Sequence, residues 1–215
     1  MEITNEVFSL RSWVVGPIQT SVYVLACQKT NKAVIIDAGA QSEILLDAIE
    51  ENQWDLEAIW LTHAHIDHVA GLNEVRAKSD APIFMHSAGQ PVYNAAVQQG
   101  ALFGFSIRPL PPIDEYVEEG QVVNVGELEA EILFLPGHSP GSIAYYFKRE
   151  NLFFGGDVLF AGSIGRVDLP GSDPRAMQQS LQRVKKLPDD TIVFPGHGPQ
   201  TTIGEEKKFN PFLRE

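Results

Sequence analysis

The sequence predicts an α+β fold, with mixed β-sheets flanked by helices in one domain over residues 1–215. Short β-rich runs alternate with helical stretches along the whole chain, without a low-complexity segment, a long linker or an internal repeat. Two pairs of strands are joined by connections too short for a crossover helix, so each pair is an antiparallel hairpin. The apolar share, 44 %, is ordinary for a globular protein, and 215 residues suffice to bury a core.

In chain order the predicted strands are 22–27, 33–37, 58–62, 83–85, 121–125, 131–135, 143–147, 152–154 and 191–194. The predicted helices are 42–52, 69–78, 89–99 and 174–186. In the first, the spacing sets Ile44, Leu45, Ala48 and Ile49 on one face. Segment 87–107, closed by Pro109-Leu110-Pro111-Pro112, reads as an insertion over one sheet edge, a lid or a wall. Strands 121–125 and 131–135 turn around Gly126, and strands 143–147 and 152–154 around Arg149-Glu150-Asn151. Asp173 caps the last helix, with Pro174 at its first position.

Composition excludes several functions. There are 16 Lys+Arg against 28 Asp+Glu, a net charge of −12. Nucleic-acid affinity rests on clustered basic residues. Here no basic run exceeds a pair: Lys148-Arg149, Lys185-Lys186 and Lys207-Lys208. Nucleic acid is therefore not an expected partner. No apolar stretch approaches the ~18 residues of a membrane span, and residues 1–10 are acidic and lack the features of a secretory signal. The lone cysteine, Cys27, excludes an internal disulfide framework and reads as a core residue rather than a nucleophile. The cytoplasm is the expected compartment.

Four places share one local grammar: an apolar strand, a tight turn, then a metal-competent side chain. They end in His63-Ala64-His65-Ile66-Asp67-His68, in Pro136-Gly137-His138, in Gly155-Gly156-Asp157 and in Pro195-Gly196-His197. Sites in α/β sheets form at the carboxyl ends of strands, so four such loops are expected to converge on one rim of the sheet. His63 and His65 point to one side of an extended chain, while Asp67 and His68 fall where it turns into a helix. The His-X-His-X-Asp-His string has a chance expectation of about 2 × 10⁻⁴ at this composition. One tetrahedral ion would be oversupplied by this set, whereas two ions sharing a carboxylate would use it all. Imidazole and carboxylate donors suit Zn, Fe or Mn.

The string His63, His65, Asp67, His68, followed by His138, Asp157 and His197, resembles the metallo-β-lactamase fold over essentially the whole chain. Segments 159–166 and 195–206 and the run Asp168-Leu169-Pro170-Gly171 resemble its short, single-domain glyoxalase-II-like hydrolases. The resemblance implies a four-layer αβ/βα sandwich of two mixed sheets with helices outside. It implies that His63, His65 and His138 hold one divalent metal ion and Asp67, His68 and His197 the other, with Asp157 bridging; zinc is the expected metal, with iron or manganese as alternatives. Metallo-β-lactamases of the commonest type carry Cys where Asp157 stands, which disfavours that activity. With 18 residues after His197, the helical C-terminal region that contacts glutathione in full-length glyoxalase II is not expected here, so glutathione as the recognised group does not follow.

The chemistry expected is hydrolysis by a metal-bridging hydroxide, without a covalent intermediate. Asp67 and Asp157 are the catalytic candidates. Ser139, beside His138, reads as a turn residue. A thiolate leaving group, with a pKa of about 8–9, departs without protonation, which fits a thioester such as S-lactoylglutathione. Two divalent ions would add about +4 locally, so this acidic chain would present a cationic pocket to an anionic acyl thiol. Arg166, Lys207, Lys208 and Phe103 are the substrate-contact candidates. Arg166 alternatively holds its loop or supports Asp157, and Phe105 joins Phe103 as an apolar wall. Asp37 reads as a turn carboxylate and His86 as a plain polar residue, each with a possible place on the rim. The alternatives are a mononuclear-iron persulfide dioxygenase, using His63, His138 and Asp157, and a metal-holding binding module without turnover.

Overall fold

The computed structural model describes residues 1–103 and 107–214. Its first sheet contains β1 (Glu2–Thr4), β2 (Phe8–Val15), β3 (Thr20–Cys27), β4 (Lys32–Ile36), β5 (Asp55–Trp60), β6 (Ile83–Met85) and β7 (Glu115–Tyr116), side by side in sequence order. Pairing is antiparallel from β1 to β4 and parallel from β4 to β7. The second sheet likewise follows sequence order: β8 (Val122–Val125), β9 (Leu128–Phe134), β10 (Ile143–Phe147), β11 (Leu152–Gly156), β12 (Ile192–Pro195) and β13 (Thr201–Thr202). Only its β11–β12 pair is parallel. Both sheets are mixed, and the two expected hairpins form, with Gly126 and Asn151 in left-handed backbone at their turns (φ 55° and 54°).

Side-chain alternation makes this a four-layer molecule. Along β3, Tyr23, Leu25 and Cys27 face the space between the sheets, while Val22, Val24 and Ala26 face outward. The inner layer joins Leu10, Ile36 and Trp60 of one sheet to Tyr145, Phe147 and Phe154 of the other. Trp60 stacks on Tyr145 with ring centroids 4.8 Å apart. The outer face of the first sheet packs on α1 (Glu43–Glu51), α2 (Ile66–Val69), α3 (Leu72–Arg76), α4 (Gln90–Asn94) and α5 (Ala96–Phe103). The outer face of the second packs on α6 (Pro174–Val184) and α7 (Ile203–Phe209). Burying both faces of each sheet produces continuous apolar strands such as β3 and β10. No helix among the described residues is long and apolar enough to cross a membrane.

Several local expectations change. The helix expected at 69–78 begins at Ile66 and is split in two around Gly71. A Cβ there would lie 2.0 Å from Ser42 Oγ and 2.2 Å from the Gly39 carbonyl, so backbone contact requires the glycine. The helix expected at 89–99 divides into a 3₁₀ turn, α4 and α5. Ile44 is exposed, not buried with Leu45, Ala48 and Ile49, because it stands at one edge of the apolar arc of α1, about 40° from Ala48, 100° from Leu45 and 140° from Ile49. Strands β1, β2, β7 and β13 and helix α7 are additions. Asp173 caps α6 as expected, its Oδ1 accepting from the Arg175 and Ala176 amides at 2.8 and 3.1 Å.

Candidate metal centre

Strands β9 and β11 both run antiparallel to β10, and β12 runs parallel to β11, so all three end at one rim. The end of β5 is stitched to that rim from the other sheet. The Ile143 amide donates to the Thr62 carbonyl at 2.9 Å, and Tyr145 Oη donates to the Leu61 carbonyl at 3.1 Å. The four motif loops therefore converge, but from the rims of two sheets rather than one.

They bring seven side chains into overlapping groups. Candidate ligand atoms of His63, His65 and His138 lie within 4.8 Å of one another, as do those of Asp67, His68 and His197. Asp157 faces both groups. Its Oδ2 is 3.4 Å from His138 Nε2 and 3.5 Å from His197 Nε2, and its Oδ1 is 3.4 Å from His68 Nε2. His65 Nδ1 and His138 Nε2 are 2.8 Å apart. This local crowding of lone pairs is a donor set for cations.

The ring tautomers follow from the partners behind each histidine. Carbonyls only accept, so His138 Nδ1–H donates to the Arg166 carbonyl (2.8 Å) and His197 Nδ1–H to the Gln19 carbonyl (3.2 Å). His68 Nδ1–H donates to Asp37 Oδ2 at 2.8 Å. The Thr62 hydroxyl also donates to Asp37 Oδ2, at 2.7 Å, and so accepts from His63 Nδ1–H at 3.1 Å. In each case Nε2 is the atom left for the shared space. His63 Nε2, His68 Nε2 and Asp157 Oδ1 are buried without a hydrogen-bond partner. Unpaired buried polar atoms are costly, and bound cations would satisfy them. The residues present fit a metal.

Electrostatics point the same way. Burial and the neighbouring histidines hold His63 well below the ordinary imidazole range, and burial with His138 beside it drives His65 down to about 4. Both are neutral donors at pH 7. Burial pushes Asp67 and Asp157 up, but the His68 charge outweighs it, joined at Asp67 by hydrogen bonds from His197 and Thr20, and both carboxyls end below their usual range. His68, with Asp67, Asp37 and Asp157 around it, is raised well above its usual range despite its own burial. The field that holds a proton there is one that attracts a metal ion.

Asp37, which reads in the sequence as a turn carboxylate with a place on the rim, orients two rings. It is 2 % exposed, in left-handed backbone (φ 59°), and its Oδ1 also accepts from the Thr62 amide at 2.7 Å. Thr20, donating to Asp67 Oδ2 at 2.8 Å, was missed altogether. Asp37→Ala is expected to weaken metal affinity by about 10–100-fold, since it unhooks His68 and Thr62 together. Titration with a chelator competitor checks this.

The substrate-contact candidates fare differently. The Arg166 guanidinium is turned to solvent in a bidentate pair with Asp168, at 2.9 Å on both arms, and does not support Asp157; only its carbonyl reaches the site. Lys207 binds the Leu187 carbonyl and Asp189, before the start of β12 and so at the opposite end of that strand from His197. Lys208 pairs with Glu205 on the α7 surface. Both lysines already have partners, set by helix geometry that the string of residues does not reveal. Phe103 closes α5, and Phe105 lies outside the described residues. His86 stacks on Phe134 at 4.1 Å and accepts from the Ala88 amide. Ser139 is buried and accepts from Ser142 Oγ within its turn, and Cys27 is a buried free thiol.

Residues 15–197 match the metallo-beta-lactamase superfamily. The chain is 38 % identical over 190 residues to a hydroxyacylglutathione hydrolase, GloC, of Haemophilus influenzae, covering 84 % of this chain and 87 % of that one. The solved structure of BLEG-1 B3 metallo-beta-lactamase superposes with a TM-score of 0.89 at 38 % identity, covering 96 % of this chain and 100 % of that one. A di-iron-bound form of TTHA1623 superposes with a TM-score of 0.86 at 39 % identity, covering 94 % and 100 %.

Proposed function

This chain belongs to the metallo-beta-lactamase superfamily, and from that premise we propose that it is a dinuclear metal-dependent hydrolase of thioesters, acting on S-lactoylglutathione or a related hydroxyacyl thiol. The observation that carries the reading is Asp157, whose two oxygens face His138 of one donor group and His68 and His197 of the other. On this reading His63, His65 and His138 hold one ion, Asp67, His68 and His197 the other, and Asp157 lies between. Bound there, two divalent ions supply an acidified water as nucleophile and a Lewis acid for the substrate carbonyl. Zinc suits the imidazole and carboxylate donors, and the di-iron form of a similar chain keeps iron beside it.

The chain's own residues then have limited tasks. Asp37, Thr62 and the Arg166 carbonyl fix ring orientation, and Thr20 fixes the Asp67 carboxylate. Every histidine and aspartate of the cluster is engaged in it, which leaves none as a proton donor to the leaving group. A thiolate needs none, because its pKa of about 8–9 lets it depart as the anion. Water cleaves the C–S bond, giving a carboxylic acid and a thiol. Similarity to GloC supports the acyl-thiol class.

The purified protein is expected to hydrolyse S-lactoylglutathione faster than a simple lactone or a β-lactam, measured side by side by thiol release and absorbance. A β-lactam turned over faster would overturn the substrate class. Oxygen consumption on glutathione persulfide without thioesterase activity would replace hydrolysis with oxygenation. No turnover of any of these by metal-loaded protein would leave a binding module.

A further inference from the structure

Helix α7 reaches the metal centre from behind. Glu206 is 4 % exposed, and Asn210, at the C-cap of α7, is fully buried. Among the described residues the Glu206 carboxylate is met by three neutral donors. Thr201 Oγ1 donates to Oε1 at 2.6 Å, and the Gly162 amide and Asn210 Nδ2 donate to Oε2 at 2.8 and 2.7 Å. Asn210 Nδ2 also lies 3.0 Å from the Ser163 carbonyl and 3.2 Å from that of Phe160, and its Oδ1 accepts from the Phe212 amide at 3.0 Å. The pair clamps the turn formed by residues 160–163.

That turn belongs to a loop with three routes to the site. It begins beside Asp157 and ends at Arg166, whose carbonyl accepts from His138 Nδ1. Between them the Phe160 ring meets the His197 ring edge-on, 5.8 Å between centroids. One loop thus starts from the residue whose carboxylate faces both donor groups, and touches one histidine of the first group and one of the second.

We infer that Glu206 and Asn210 are positioning residues for the metal centre, setting Asp157, His138 and His197 through the loop between Asp157 and Arg166. The inference rests on the reading that the seven side chains hold metal, and it is independent of the substrate. A buried, fully hydrogen-bonded pair is suited to this because it has one satisfied arrangement and costly alternatives. Groups that orient metal ligands from behind govern affinity without touching the ion.

The test is zinc affinity of the full chain, measured by competition with a chromogenic chelator alongside thermal unfolding. Glu206→Ala and Asn210→Ala are expected to bind zinc at least about 10-fold more weakly. Glu206→Gln keeps an oxygen toward Gly162 and Asn210 while its amide donates to Thr201 Oγ1, so it should stay within about threefold of the parent. Lys207→Met cuts the ties of the same helix to Leu187 and Asp189, and should lower the unfolding temperature without moving zinc affinity. Unchanged affinity in Asn210→Ala and in Glu206→Ala overturns the inference, as does an equal loss in Lys207→Met, which would mark generic loosening. Should Glu206→Ala fail to fold, Asn210→Ala against Lys207→Met decides alone. A parent chain that binds no zinc or iron overturns the metal reading itself, whereas tight zinc binding by every variant overturns only the positioning role.

Discussion

Asp157→Ala is expected to lower kcat/KM on S-lactoylglutathione by at least about a thousandfold, about 4 kcal/mol of transition-state stabilisation, with loss of bound metal. The remaining six candidate donors form two groups of three, but the charge that faces both would be gone. Asp157 is held ionised against its own burial by the charge of His68, so its charge is available to two cations at neutral pH. Asp157→Asn separates charge from shape, since it fills the same space. It should lose metal as the alanine variant does. Full metal content and activity in the asparagine variant would show that the carboxylate does not bridge.

Gly196→Ala is expected to cost at least about a hundredfold in kcat/KM, about 3 kcal/mol, from a single methyl group. Built on this backbone, the added Cβ lies 2.1 Å from Asp157 Oδ1 and 2.8 Å from His68 Cε1. Neither neighbour has room to yield, because both are buried and His68 is tied to Asp37 behind it. Overpacking of this kind costs about 1–3 kcal/mol in stability, so the folded variant is the form in which the activity is measured. Metal content and activity should fall together in the folded variant. An alanine variant with parental metal content and kinetics would show that the Asp157 carboxylate has freedom this packing denies it.

Much of the site was legible because its donors sit in local strings at strand ends. His63, His65, Asp67 and His68 fall within six consecutive positions, and His138, Asp157 and His197 each follow an apolar strand and a glycine turn. What was not legible depends on distance along the chain. The groups that aim the donors, Asp37 on His68 and Thr20 on Asp67, are 31 and 47 residues from their partners. Arg166 shows the difference most clearly: the residue type suggested a cationic contact, whereas the carbonyl, which any residue carries, is what reaches His138. Among the elements, β2 was missed because Arg11 and Ser12 interrupt its apolar run, and it becomes a strand through its ladder with β3. The split at Gly71 was hidden for a related reason, since the contacts that demand it come from Gly39 and Ser42. The nine predicted strands all form, because their own residues are either apolar runs buried on both faces, as in β3, β10 and β11, or alternate buried with exposed, as in β8.

A two-ion centre with Asp157 between the ions is tested most directly by the metal-to-protein ratio of the untagged chain, grown with zinc and iron supplied. The ratio is expected to be about two per folded chain, falling below one in Asp157→Ala. A ratio of one in the parent, unaffected by loss of Asp67 or His197, would contradict it.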